Sequence, residues 1–245
     1  MTDIFTLLIM YNGVCIMNIV KSLLPNPANY GSKRDTNKLE YIVIHYTAND
    51  GDTAENNLHY FHNNVVKASA HYFVDEKEVC SSVPVEYIAY HCGGSLQGSG
   101  GHTFYKKCKN GNSIGVELCS RRDSKGNYYF KAETMRNAAG LVRELMQKYN
   151  VPMERVIRHY DVTGKICPAP FISEKAWGYF KSLIKGAEEM EKKYKGVADI
   201  PDWGKDAVTW AMHNGILKGE SDNNLSLNNS ELKCIVWIYR SKDIK

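Results

Sequence analysis

The chain has no C-x-x-C pair, although it carries seven cysteines (15, 80, 92, 108, 119, 167 and 234), an odd number. That pattern argues against a disulfide framework and against a four-cysteine structural zinc site, so most of these residues are expected to be small buried thiols. Dense Lys/Arg blocks are missing too: a formal charge of +4 is spread along 245 residues. The even spread gives weak attraction to anionic surfaces and falls short of a nucleic-acid footprint. Long apolar runs are absent. The N-terminal MTDIFTLLIMYNGVCIMNIV is apolar in part, but Asn12 and Asn18 interrupt it and it lacks a basic leading region and a small-residue cleavage site. It is too short and too polar to span a bilayer, which excludes stable membrane insertion through this segment. Met17 is the expected natural start, because the interpretable pattern begins just after it. No internal repeat is long enough to suggest a solenoid.

What is present reads as an ordinary globular composition, 43% hydrophobic and 24% charged. The length accommodates one medium domain of roughly 150–200 residues and a small appendage. After a Pro/Asn/Gly-rich lead-in (Pro25 to Ser32), Tyr41-Ile42-Val43-Ile44 is a β-branched apolar run ending at His45, the pattern of a buried strand. Asp52-Thr53-Ala54-Glu55 resembles a capping box, and Ala54, Leu58 and Phe61 follow at helical spacing. Ala70 to Val74 and Val79 to Val83 read as hairpin strands around the polar turn Asp75 to Glu78. From Cys92 to Asn112 lies a Gly/Ser-rich stretch with Lys106, Lys107 and Lys109, an irregular segment of the length that compact domains keep for function.

Ser113 to Cys119 alternates, with Ile114, Val116 and Leu118 on one face and Gly115, Glu117 and Cys119 on the other, so Glu117 stands mid-strand opposite the apolar side. Met135, Ala138, Ala139, Val142, Leu145, Met146 and Tyr149 trace the apolar face of a helix packed on a sheet. Val156-Ile157 is a short strand that delivers His159, and Glu174 to Lys185 begins another helix, open to continuation into the charged segment Glu188 to Lys195. The charged segment 188–196 reads as a linker, since composition changes after it and Gly196 opens a new turn. Beyond it Trp203, Ala207, Trp210 and Ala211 mark one helix ended by Asn214-Gly215, with both tryptophans expected in a small core. Asn228 to Ser230 caps a second helix carrying Leu232, Ile235, Val236 and Tyr239. The organisation expected is an N-terminal extension (1–23), a main domain (24–187), the linker (188–196) and a small C-terminal domain (197–245).

Three residues point to a metal: His45 at the end of one strand, His159 at the end of another, and Cys167 in the loop R-H-Y-D-V-T-G-K-I-C-P. Two imidazoles and a thiolate are good zinc ligands, and three protein ligands leave a fourth position for water, the mark of a catalytic rather than a structural site. Taken singly, each histidine is equally at home as an ordinary core or surface residue. Their spacing does not identify itself in the way H-E-x-x-H does.

Five strings change that balance: Y-I-V-I-H-Y-T (41–47), S-A-H-Y-F-V-D (69–75), Y-H-C-G (90–93), N-S-I-G-V-E-L (112–118) and R-H-Y-D-V-T-G-K-I-C-P-A-P-F (158–171). In their order and rough spacing they resemble the type 2 N-acetylmuramoyl-L-alanine amidase family of phage endolysins, bacterial autolysins and peptidoglycan recognition proteins, from about Leu24 to Phe180. The resemblance implies an α/β fold with a mixed central sheet flanked by helices and a zinc ion at the floor of an open groove. It also implies that His45, His159 and Cys167 hold Zn2+, that Glu117 is the general base and that Lys165 stabilises the oxyanion. Some relatives carry a tyrosine just before the histidine equivalent to His71. This chain has Ala70 there, which leaves proton transfer to Glu117. Cys167, where other members use aspartate, keeps the third ligand.

His71 and His91 are candidate substrate contacts, with a hydrogen-bonded structural role the competing reading for His71. His59, His62, His102 and His213 are expected to be solvated polar residues. The segment from Val197 to Arg240 resembles a single S-layer homology motif, which implies attachment to cell-wall polymers. At about fifty residues such a unit is marginal alone, so docking or self-association is expected of it. The partners implied are bacterial peptidoglycan and secondary wall polymers, with no nucleic acid. A phage endolysin that waits in the host cytoplasm is the leading expectation; a cytosolic muropeptide-recycling amidase and a non-catalytic peptidoglycan-binding module are the alternatives.

Overall fold

The structure, a computed structural model, describes residues 19–191, 194–217 and 225, 227, 228, 231, 232, 235, 236, 239 and 240. The expected start at Met17 lies outside these residues. In chain order the elements are β1 (Ile19–Ser22), β2 (Tyr30–Lys33), β3 (Tyr41–Tyr46), α1 (Ala54–Asn63), β4 (Tyr72–Val74), β5 (Val79–Ser81), β6 (Tyr87–Ala89) and β7 (Ser113–Leu118). They continue with β8 (Arg121–Arg122), β9 (Tyr128–Tyr129), α2 (Ala132–Tyr149), β10 (Val156–Arg158), α3 (His159–Thr163), α4 (Glu174–Glu191) and α5 (Asp202–His213). The chain forms two compact units, Met1–Ile184 and Lys185–Lys245. Ile19–Ser22, placed in the N-terminal extension, is a sheet strand, and α4 runs on into the charged segment as far as Glu191, the continuation the sequence left open.

The first unit is built on a six-stranded sheet of order β1-β5-β4-β7-β3-β10. Strands β4, β7, β3 and β10 run parallel, while β5 is antiparallel to β4. Because β3 is buried on both faces, its core reads as a continuous apolar run, and Ile42, Val43 and Ile44 are fully buried. Burying each such side chain contributes about 1.5–3 kcal/mol. Ile42, Ile44, Ile114, Val116 and Leu118 face α2 and α4, meeting Ala138, Leu141, Val142, Phe180 and Ile184 in the largest core cluster. On the other face Tyr41, Val43 and Ile157 pack against Cys92, Cys108 and Val162.

α1 starts where Thr53 accepts a hydrogen bond from the Asn56 N–H at 3.0 Å, the cap the sequence implies. The long segment from Cys92 to Asn112 is tied to α3 by backbone bonds: Gln97, His102 and Phe104 N–H groups donate to Thr163, Tyr160 and Asp161 carbonyls. All the described cysteines are free and buried (80, 92, 108, 119 and 167), as expected from the absent pairing pattern.

One surface tie carries a stability prediction. Glu76, in the β4–β5 turn, pairs with Arg121 of β8 at 2.7 Å and with Lys131 before α2 at 2.8 Å. Burial opposes ionisation, but hydrogen bonds from Lys131, its own backbone N–H and Arg121 win and hold the carboxyl down from 4.5 to about 2. A depressed carboxylate stabilises the fold above its ordinary pKa, and that contribution is lost as pH falls through the folded value. Glu76→Gln is therefore expected to cost about 1–2 kcal/mol at neutral pH, after a discount for partial exposure. Urea denaturation should show the gap to wild type closing as pH falls from about 5 towards about 2; a gap that stays constant with pH would refute the tie.

In the second unit Ile200, Ala207, Val208, Leu225, Leu227, Leu232 and Val236 form a core with Tyr194. Asn228 and Glu231 cap each other's backbone N–H groups, as the sequence implied for the last helix. Trp210 meets Tyr239 in a tilted contact with ring centroids 5.6 Å apart, whereas Trp203, expected in this core, is 47% exposed. Its place is taken from inside, because Gly204 and Ala207 face Leu232 and Ile200.

Candidate metal centre and active site

The site follows from strand direction and register. Parallel strands present their C-terminal ends at one edge of a sheet, where open α/β folds bind ligands. β3 pairs with β7 so that His45 lies opposite Glu117, and with β10 so that Ile44 lies opposite Arg158. The next residue, His159, therefore emerges beside His45. It is the first residue of α3 rather than the last of a strand, because the chain turns helical at once after Arg158.

Arg158 fixes that turn. Its guanidinium, 4% exposed at the residue, binds Asp161 at 2.7 Å and Glu174 at 2.8 Å and donates to the Phe171 and Ile172 carbonyls, while Asp161 accepts the Arg158 N–H. α3 ends at Gly164, whose positive φ of 78° suits glycine, and a Cβ there would meet the Gln97 carbonyl at 2.0 Å. The chain then returns so that the Tyr160 N–H donates to the Cys167 carbonyl at 2.8 Å.

This brings the three sequence-predicted ligands together. His45, His159 and Cys167 are all buried, and one donor atom from each lies within 4.8 Å of the others. His45 Nδ1 is 3.6 Å from Cys167 Sγ, and the two imidazole centroids are 4.8 Å apart. Neither ring nitrogen of His159 has a hydrogen-bond partner among the described residues, nor has Glu117 Oε2. Buried polar atoms are rarely left so.

The electrostatics agree. Burial, then the neighbouring histidines, keep His45 well below the ordinary imidazole range, and burial with the Lys165 charge lowers His159 to about 4. Both rings are thus neutral donors near pH 7. Burial and the Glu117 carboxylate push the Cys167 thiol up to about 12, and burial pushes Glu117 itself to about 8. Two neutral imidazoles and a thiol gathered beside a carboxyl oxygen that no protein group bonds are a donor set that a divalent cation completes, so they fit the expected zinc.

The cluster lines an open groove of about 770 Å3 together with Tyr46, Asn49, Asp52, Tyr60, Tyr90, His91 and the exposed Lys165. A second hollow of about 630 Å3 continues it past Tyr90, His91, His159 and Lys165 to Lys67.

Of the two candidate substrate contacts, His71 is corrected. It is fully buried: Gly115 N–H donates to its Nδ1 at 2.9 Å, its Nε2 faces the Tyr87 carbonyl at 3.2 Å, and the Arg34 guanidinium abuts it at 2.7 Å. No edge is left for a ligand. His91 does border the groove, but both of its nitrogens are engaged by protein, with His45 at 3.0 Å and Ser113 at 3.1 Å. The Lys106, Lys107 and Lys109 side chains are exposed and lie outside the groove lining. His59, His62 and His213 are exposed, as expected, and His102 is half-buried. Sequence reasoning missed Ser113, whose signal was present: it shares the Gly115/Glu117 face of β7.

Fold and site define a class: an α/β protein with a metal-competent His/His/Cys cluster in a groove at the carboxyl ends of parallel strands. Residues 35–170 match the N-acetylmuramoyl-L-alanine amidase family, and the chain belongs to that family. It is 39% identical over 140 residues to the N-acetylmuramoyl-L-alanine amidase CwlL of Bacillus licheniformis, covering 55% of this chain and 37% of that one. With the amidase CwlA of Bacillus subtilis it shares 32% identity over 84% of this chain and 73% of the relative. The chain spans well under half the length of CwlL and of Bacillus subtilis BlyA, 37% and 40% respectively. Among solved structures, the catalytic domain of XlyA superposes with a TM-score of 0.54 at 28% identity, covering 68% of this chain and 99% of that domain. The PlyG catalytic domain gives 0.52 at 36% identity, over 68% and 93%.

Proposed function

We propose that this chain is a zinc-dependent N-acetylmuramoyl-L-alanine amidase of the endolysin or autolysin type, hydrolysing the amide between N-acetylmuramic acid and the L-alanine of the stem peptide. The observation that carries this reading is the meeting of His45, His159 and Cys167 with Glu117 in the lining of one groove. Zinc, held by those three ligands, supplies Lewis acidity towards a carbonyl oxygen and acidifies a water.

This chain's own residues do the rest. Glu117, ionised, takes a proton from the attacking water at a carboxylate oxygen as the new C–O bond forms. The same carboxyl then returns the proton to the alanine nitrogen as the C–N bond breaks, leaving a lactyl carboxylic acid and a free amine, which become carboxylate and ammonium when the acid's proton passes to the amine. Lys165, in the groove lining, donates to the oxyanion as charge develops there. The open groove admits a polymeric strand rather than enclosing a small molecule.

In the same reading, residues 24–187 act as the catalytic domain, the linker spans 188–196, and residues 197–245 attach the enzyme to wall polymers or to a second copy. A phage origin, with bacteriolysis from the host cytoplasm, fits this arrangement. Among the described residues no helix is long and apolar enough to cross a membrane.

The test is digestion of purified cell walls. Loss of turbidity with new alanine amino groups is the expected result, whereas release of reducing sugars without new amino termini would make the protein a glycosidase. Binding to walls without release of either would make it a recognition module.

A further inference from the structure

A chain of four hydrogen-bonding groups runs inward from the metal cluster, and one end of it has a fixed polarity. Ser113 Oγ lies 2.6 Å from the Lys109 carbonyl oxygen. A carbonyl can only accept, so the single hydroxyl proton of Ser113 is committed to it. At 3.1 Å from the same oxygen sits His91 Nε2, which must then be the N–H donor. A neutral imidazole that donates from Nε2 has its lone pair on Nδ1. His91 Nδ1 is 3.0 Å from His45 Nε2, so His45 carries its proton on Nε2 and donates. The lone pair of His45 is thereby placed on Nδ1, the atom 3.6 Å from Cys167 Sγ and within the ligand cluster.

We propose that His91 and Ser113 are positioning residues that select the metal-binding tautomer of His45, with the Lys109 carbonyl as the anchor. The inference rests on the zinc reading above.

A second feature of β7 serves the same arrangement. A Cβ at Gly115 would lie 2.6 Å from His91 Cγ and 2.8 Å from its Nδ1, so the imidazole rests directly on the glycine backbone. Ser113, Gly115 and Glu117 are successive residues on one face of the strand. They provide, in order, the acceptor for His91, the space for its ring, and the carboxylate opposite His45. This accounts for the S-I-G-V-E string with a physical task at each alternate position.

The experiment uses the full chain and reads zinc affinity by competition with a chromogenic chelator, with histidine 15N spectra of the zinc-free protein alongside. His91→Ala removes the acceptor and is expected to weaken zinc binding roughly 10–100-fold, the usual effect of losing a partner behind a metal-bound histidine. His91→Asn places a carbonyl oxygen near the position of Nδ1, and its affinity is expected to return to within about threefold of wild type; a purely space-filling role would not distinguish the two variants. The spectra of unaltered protein should show His45 protonated on Nε2, a measurement that needs no variant to fold. Wild-type zinc affinity in His91→Ala, equal weakening in His91→Asn, or a His45 proton on Nδ1 would overturn the proposal while leaving the zinc reading intact. A wild-type protein that binds no zinc would remove both.

Discussion

Glu117→Gln is expected to lower kcat on cell-wall substrate roughly 10²–10⁴-fold, the typical worth of a positioned general base, while the protein keeps its zinc. The amide preserves the shape of the side chain, and none of the three ligand atoms belongs to it. What is lost is the ability of the carboxylate to take a proton. Glu117 Oε2 is buried and has no hydrogen-bond partner among the described residues, so no protein group competes for its lone pairs. Burial lifts this carboxyl from 4.5 to about 8, Lys165 draws it down and Asp52 pushes it up. Since the base works only when ionised, activity is expected to fall as pH falls through its pKa. A neighbouring divalent cation adds to the pull of Lys165, so the acid limb should lie above 4.5 and below about 8. Rate measurements and metal analysis on one preparation check both halves. Wild-type rates in Glu117→Gln, or loss of its zinc, would remove Glu117 from the role of base.

Stripping the metal is expected to cost a comparable factor. Zinc polarisation is worth about 4 kcal/mol or more in the transition state, roughly a 10³-fold loss of rate after chelation, reversed by added zinc. Cys167→Ala should lose the ion, because two imidazoles alone leave the cluster a ligand short. Cys167→Asp should retain it with lower affinity, since a carboxylate is a poorer match than a thiolate for a borderline-soft ion at a buried position. Metal content by mass spectrometry, paired with wall digestion, reads each outcome. Full activity in a demonstrably zinc-free protein would leave the hydrolysis without its centre.

Much of the site was legible as soon as strands could be recognised. The run Tyr41 to Ile44 ending in His45, and the alternation that isolates Glu117 from Ile114, Val116 and Leu118, are local patterns, and β3 and β7 carry them as read. Helix α2 likewise contains the whole 3.6-residue pattern read from Met135 to Tyr149. The histidines behind the ligands were harder to place. In the sequence His71, on a strand, and His91, at a strand-to-loop junction, are both candidate substrate contacts. One is sealed beneath Arg34 and the Gly115 N–H, and the other stands at the groove with its nitrogens spent on His45 and Ser113. That difference depends on which strand lies next to which, a non-local property that no window of sequence contains.

The sequence by itself determined the main strands and helices and the face of β7 on which Glu117 stands, because these follow from hydrophobic periodicity over a few neighbouring residues, while the ligand set was implied only by the resemblance of five separated strings to a known family. Tertiary structure alone decided the rest. The parallel pairing of β7, β3 and β10 sets His45 between Glu117 and His159, and the Lys109 carbonyl, far from His45 along the chain, fixes which nitrogen of His45 is bare. Register and hydrogen-bond polarity are properties of packed neighbours, and packing is settled only when the whole sheet closes on its helices.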